Sequence, residues 1–232
     1  MKNIIAIIPA RGGSKRIPRK NLLPLKGKPL IAHTIEHAKH SKLINRIIVS
    51  TDDDEIAEVA IQYGVEVIKR PPELSGDTAS SEIALLHVVG WLGEHEGVEP
   101  DILVFLQCTS PFRNENDIDN AIGIFLENDA DSLFSAYRFN KYIWQMHNGE
   151  VSPINYDYMH RWREQDFPHQ VQENGSIYVF KTSILKKLGN RLGGKIVVYE
   201  MDELNSIQID SNEDIILCNC IMDTREKGAS KC

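Results

Sequence analysis

Two rhythms alternate along the chain. Short runs of β-branched and aliphatic residues are followed by segments whose apolar positions recur every three to four residues, the pattern of a parallel sheet flanked by helices. Residues 4–8 form an unbroken apolar run, as expected of a central strand buried on both faces. Further strands are predicted at 46–51, 65–68, 101–106, 132–137, 175–180, 196–199 and 206–209. A helix is predicted from Pro29, with Leu30, Ile31, Ile35 and Ala38 on one face, and a second after Asp52 or Asp53, ended by Gly64. Others are predicted at 80–91, 116–128, 182–188 and 212–223. Between 138 and 170 the period fails, and a stretch rich in Tyr, Trp, His and Asn reads as a hairpin-like excursion from the main sheet. The expectation is one α/β domain over 1–232 with 138–170 inserted.

Composition narrows the function classes. With 26 Lys and Arg against 33 Asp and Glu in 232 residues, the formal charge is −7, which argues against a surface that coats nucleic acid. No run approaches the roughly 20 apolar residues of a membrane span, and the first apolar run is too short for a signal peptide, so a soluble, cytoplasmic, unprocessed protein is expected. Cys108, Cys218, Cys220 and Cys232 form no CxxC pair and are expected to be reduced thiols. His33, His37 and His40 repeat at helical spacing, but no carboxylate completes a zinc set, so they read as a surface face.

One segment departs from the acidic average. From Arg11 to Lys28 there are seven Lys or Arg and no carboxylate, which suggests a small anionic ligand. The loop after the first strand reads Pro9-Ala10-Arg11-Gly12-Gly13-Ser14-Lys15-Arg16-Ile17-Pro18-Arg19-Lys20-Asn21, and ligands of open parallel sheets bind beyond the carboxyl ends of the strands. Gly12 and Gly13 let backbone N–H groups approach a polyphosphate, Ser14 adds a donor, and Arg11, Lys15 and Lys20 supply charge. Neither the GxGxxG nor the GxxxxGK[ST] spacing is present. The alternative is a solvated basic turn whose glycines serve only its geometry.

This loop does not stand alone. Together with Lys26-Gly27-Lys28-Pro29-Leu30, Ile48-Val49-Ser50-Thr51-Asp52, Arg70-Pro71, Asp77-Thr78-Ala79-Ser80-Ser81, Leu106-Gln107-Cys108-Thr109-Ser110-Pro111-Phe112-Arg113 and Asn174-Gly175-Ser176-Ile177-Tyr178, it resembles the acylneuraminate cytidylyltransferase family, the CMP-sialic acid synthetases. The resemblance implies a three-layer, Rossmann-like nucleotidyltransferase fold with a mostly parallel central sheet. It implies CTP as nucleotide, Mg2+ as cofactor and a 3-deoxy-2-keto sugar acid as acceptor, with CMP transferred to the anomeric hydroxyl and pyrophosphate released.

By the same resemblance, Arg11, Ser14, Lys15 and Lys20 match the positions that hold the triphosphate, with Lys20 on the α-phosphate. Asn21 and Arg70 match positions near ribose and cytosine, Ser81 falls in the nucleotide pocket, and backbone around Ala10 reads the base. Gln107 matches a residue that hydrogen-bonds the acceptor, although a strand-end amide can also satisfy loop backbone. In Asn205-Ser206-Ile207-Gln208-Ile209-Asp210 the family's usual pair of aspartates is reduced to Asp210, with Gln208 in the first position. Both would lie on one side of a strand and could meet magnesium. The alternative for Asp210 is the cap of the last helix.

The excursion corresponds to the family's dimerisation segment, which reaches into the partner's site. Its available cations for the sugar carboxylate are Lys141, Arg161 and Arg163. Sialic-acid enzymes often carry arginine just before the Asn-Gly pair, where this chain has Gln172 and Glu173, so the expected acceptor is a bacterial relative such as a legionaminic, pseudaminic or amino-octulosonic acid. An octulosonic-acid enzyme and a catalytically silent nucleotide-binding homologue are the competing readings.

Overall fold

Every side chain of the first apolar run has a layer to pack against. In the computed structural model, which describes residues 2–76 and 79–229, strand β1 (Ile4–Pro9) lies inside a seven-stranded sheet. Ile4, Ala6 and Ile8 face one core cluster, and Ile5 and Ile7 face another on the opposite side. The period of two within a strand assigns alternate residues to the two faces, so burial of both leaves no polar position.

The other strands are β2 (Pro24–Leu25), β3 (Lys28–Pro29), β4 (Arg46–Thr51), β5 (Glu66–Lys69), β6 (Ile102–Leu106), β7 (Ser132–Arg138), β8 (Trp144–His147), β9 (Glu150–Pro153), β10 (Val171–Lys181) and β11 (Ile196–Glu200). The main sheet runs β11-β7-β10-β6-β1-β4-β5, and only β10 is antiparallel to its neighbours. Helices α1 (Leu30–His40), α2 (Asp54–Gln62) and α4 (Asp117–Glu127) cover one face through Ile31, Ile35, Ile56, Ala60, Ile118 and Phe125. Helices α3 (Ser81–Glu96) and α5 (Thr182–Leu188) cover the other through Leu85, Val88, Leu92 and Leu185. Helix α6 (Asn212–Ala229) closes a third cluster, where Cys218 packs with Ile17, Leu25, Leu30, Phe112 and Ile209.

The expected helix after 52–53 begins with Asp53 as N-cap, its carboxylate accepting from Ile56 N at 3.0 Å. Gly64 follows its end at φ +72, a conformation that favours glycine. Helices α3 and α6 run longer than the pattern predicted, α3 ending only at Gly97 in the left-handed region. The excursion contains a true hairpin, β8–β9, turned by Asn148 and Gly149 at φ 51 and 85 and paired only within itself.

Two expectations are corrected. Residues 206–209 are not a strand: Glu203–Ser206 forms a 3-10 turn, and the extended residues after it pair with no strand. The alternation of Ile207 and Ile209 is satisfied by packing into the third cluster, while Ile209 N donates to Thr109 O at 2.8 Å. The histidines are not a uniform surface face either. His33 Nε2 lies 2.9 Å from Leu25 O, and His37 is half-buried with Nδ1 shielded from solvent, leaving only His40 exposed. Asp77, Thr78 and Cys232, named in the sequence reading, lie outside the described residues.

Candidate active site

The carboxyl ends of β1 and β6 frame a cleft of about 340 Å³. It brings together Arg11, Ser14, Lys20, Asn21, Arg70, Ser81 and Gln107, seven of the residues singled out from sequence. Pro9, Ala79, Ser80, Phe105, Cys108 and Thr109 complete its walls. Sequence reasoning missed Phe105, whose strand position reads simply as core. Its ring stacks on Tyr178 at 5.4 Å between centroids and forms the base of the cleft.

The basic loop is held by the next strand over. Ala10 N donates to Ser50 O at 2.9 Å, extending the β1–β4 register beyond Pro9. Gly12 N donates to Asp52 Oδ1 at 3.2 Å, and a Cβ at Gly12 would stand 2.5 Å from Asp53 Oδ2, so only glycine allows this approach. Gly13 meets no such constraint, with open space where a Cβ would be. Arg19 adopts φ 54 and reaches Asp53 at 3.3 Å and Glu55 at 2.9 Å. Asn21 donates to Arg11 O at 3.0 Å, and Arg11 Nη1 to Gly76 O at 3.0 Å. Lys15 is exposed on the loop and does not line the cleft. Asp52 and Asp53, given no role in sequence beyond a helix cap and a place in the resembling segment, are therefore the anionic backing of the loop.

Arg70 is buried at the far wall, where Nε donates to Ser75 Oγ at 2.9 Å and Nη2 lies 3.8 Å from Asp52. Burial lowers its pKa and Asp52 opposes that shift. Beside it α3 starts at the cleft. Ser80, at the N-cap, makes no side-chain cap bond, and it lines the cleft with Ala79 and Ser81, so the N-terminal end of a sixteen-residue helix lies at the site without a side-chain cap.

Lys20 donates to Ile209 O at 2.9 Å and to Asp210 Oδ1 at 3.1 Å. Asp210 does not cap α6. Ser211 does so, accepting from Asp214 N at 3.3 Å while Asp214 takes the N–H groups of Asp210 and Ser211. The Asp210 carboxylate is thus free of helix duties and about half exposed. Among the described residues no group of three or more His, Cys, Asp or Glu could hold a metal by itself. A single carboxylate beside Lys20 still fits magnesium, which commonly takes one or two carboxylates plus substrate phosphate oxygens.

Behind Gln107 sits Arg113, fully buried, whose guanidinium donates to Gln107 O at 3.0 Å, Ser110 O at 2.8 Å, Ser176 O at 2.9 Å and Thr34 Oγ1 at 3.3 Å. Burial pushes its pKa down to about 10 and that of the adjoining Cys108 thiol up to about 12, which makes the thiol an inert wall at neutral pH. Lys141, Arg161 and Arg163 do not enter this cleft. All three are exposed on the excursion, where Arg161 lies over the Tyr142 ring at 4.2 Å and Arg163 pairs with Asp166 at 2.5 Å.

A family model described as Cytidylyltransferase matches residues 5–218. N-acylneuraminate cytidylyltransferase A of Danio rerio is 37% identical over 217 residues, covering 92% of this chain and 49% of that protein. Pseudaminic acid cytidylyltransferase of Campylobacter jejuni is 39% identical over 189 residues, covering 79% of each chain. The solved CMP:2-keto-3-deoxy-manno-octonic acid synthetase complexed with CTP superposes with a TM-score of 0.73 at 19% identity, covering 97% of this chain and 100% of that one, a likeness of fold. The chain spans about half the length of the first curated relatives it matches.

Proposed function

Because the chain belongs to the cytidylyltransferase family, we propose that it transfers CMP from CTP to the anomeric hydroxyl of a 3-deoxy-2-keto sugar acid of the sialic, legionaminic or pseudaminic type. The observation that carries this reading is the convergence of Arg11, Ser14, Lys20, Arg70 and the α3 N-terminus on one cleft that ends at the neutral Gln107. Cations and helix N–H groups suit a triphosphate, and a carboxamide suits a hydroxylated sugar.

In this reaction the acceptor oxygen forms a bond to the α-phosphorus, the bond to the β-phosphate oxygen breaks, and the hydroxyl proton leaves to a base. Catalysis rests on positioning and on fixed charge around the phosphorus. Arg11 and Ser14 bind the phosphates, with Lys15 at the outer edge of the loop. Lys20 follows the charge that develops on the α-phosphate. Its partner Asp210 is about half exposed to water while Lys20 itself is largely buried, so turning to a phosphate exchanges the Ile209 carbonyl and the Asp210 carboxylate for phosphate oxygens. Asn21 and Arg70 line the nucleoside end and Gln107 the acceptor end. Asp210, with phosphate oxygens, would hold magnesium, which supplies charge neutralisation to the leaving pyrophosphate.

A dimer completes the proposal. The excursion exposes Ile143, Trp144, Met146, Val151, Ile154, Tyr158 and Met159, an apolar surface that a second copy can cover while bringing its Lys141, Arg161 and Arg163 to the sugar carboxylate. The test is pyrophosphate release from CTP and Mg2+ with N-acetylneuraminate, pseudaminic acid, legionaminic acid and 3-deoxy-manno-octulosonic acid. Release with one of the first three is expected. Release only with the octulosonic acid would reassign the acceptor, and CTP binding without release from any would leave a silent nucleotide-binding homologue.

A further inference from the structure

Strand β10 contains a fault at the edge of the cleft. Its register against β7 slips between Glu173 and Tyr178, and Gly175 within the slip adopts φ +66. The side chain of Asn174, buried at 2% exposure, is fully engaged: Nδ2 donates to Ser206 Oγ at 2.8 Å, and Oδ1 accepts from Ser135 Oγ at 2.6 Å and from Ser176 N at 3.1 Å. A bulge takes its backbone groups out of the ladder, and the Asn174 carbonyl accepts instead from Gln208 Nε2.

Gly175 also shows how close the surroundings come. A Cβ built there would stand 2.5 Å from Gln107 Oε1 and 2.5 Å from Gln208 Nε2, so the two amide heads are at most twice that distance apart and share the space a side chain at 175 would take. Arg113 grips both sides of this arrangement from behind, through Gln107 O and Ser176 O.

We propose that Gln208 is a positioning residue for the acceptor end of the cleft: its carboxamide clamps the Asn174–Gly175 bulge and thereby fixes where the Gln107 carboxamide sits, while magnesium ligation falls to Asp210 and phosphate oxygens. The assignment of this end to the acceptor rests on the function proposed above. The chemistry explains the residue type. Position 208 must donate to a backbone carbonyl, which an amide does and a carboxylate does not, since an ionised Asp or Glu is acceptor-only and would set negative charge against the Asn174 oxygen.

The test compares Gln208→Glu, which keeps shape and loses the donor, with the native enzyme. The KM for the acceptor is expected to rise about tenfold, the scale of one buried polar group left unpaired. The KM for CTP and the magnesium concentration at half-maximal rate stay unchanged. Without any ligand, hydrogen exchange in a peptide covering 172–178 accelerates while that of α4 does not. A changed magnesium requirement with acceptor KM and exchange unmoved would overturn the clamp and make Gln208 a metal ligand. If Gln208→Glu does not fold, Gln208→Met carries the same comparison, since it also lacks the donor. If the native protein releases no pyrophosphate with any sugar acid, the functional reading fails, and ligand-free exchange still decides the clamp, unmoved exchange overturning it.

Discussion

The two ends of the cleft handle polar groups in opposite ways. At the proposed nucleotide end, Arg11 and Lys15 sit on a loop partly open to water, and the more buried Lys20 rests on the Ile209 carbonyl and the Asp210 carboxylate. At the opposite end Arg113 holds the Gln107 carbonyl, Asn174 holds Ser206, Gln208 donates to the Asn174 carbonyl, and the Gln107 and Gln208 amides crowd Gly175. On the proposed function, a mobile polyanion would meet charges on a loop that stays partly open to water. A neutral sugar face needs donors and acceptors already in place, because a carboxamide gains its specificity from fixed direction rather than field.

That contrast can be broken most sharply at Lys20. Lys20→Ala is expected to lower turnover by about 10²–10³-fold, the scale of one lost charge-stabilising donor, with the melting temperature little changed. A wild-type rate in the folded variant would remove Lys20 from the mechanism. Gly175→Ala should show the reverse balance. Its φ of +66 and the crowding by two amides are expected to cost about 1–3 kcal/mol of stability by denaturant unfolding, together with a raised acceptor KM. An alanine variant as stable as the native chain would show that the bulge relaxes freely.

A pH-dependent effect is expected in the layer beneath, at His37 on α1. Burial, reinforced by the neighbouring charges of Arg113, His33, His40 and Lys28, lowers its pKa from 6.5 to about 3. The unfolded chain takes up this proton below about pH 6.5 and the folded chain does not until about pH 3. Stability is therefore full above the upper value and falls as pH drops through the window. His37→Gln should flatten that fall, measured as unfolding midpoints at about pH 7 and about pH 4.5. An unchanged slope would show that His37 already takes its proton in the folded state.

The nucleotide end was legible in the sequence because it is local. One strand end, two glycines and three cations lie within a dozen residues, and the structure places Arg11, Ser14, Lys20 and Asn21 in a single cleft as their spacing suggested. The acceptor end is assembled from residues 107, 113, 174–175 and 208, and nothing adjacent in sequence announces that two glutamines meet over one glycine. The same limit explains residues 206–209. Alternating Ile207 and Ile209 imitate a strand, but burial against α6 and the loops satisfies them without a ladder. Helix ends were misplaced where the pattern thinned before the geometry stopped, as in α3, which runs on to Gly97.

The single reversed strand has an outcome for how this scaffold can diversify. Because β10 runs against β6 and β7, the chain leaves β7 at Arg138 and re-enters at Val171 on the same edge of the sheet that carries Pro9 and Leu106. Everything between, the β8–β9 hairpin included, hangs from two roots on the edge of the sheet where the cleft opens. Lengthening it, shortening it or exchanging its aromatic residues remodels what approaches the acceptor without moving a strand of the core. On this geometry, substrate preference could change through that one interval without altering the sheet or the loop after β1.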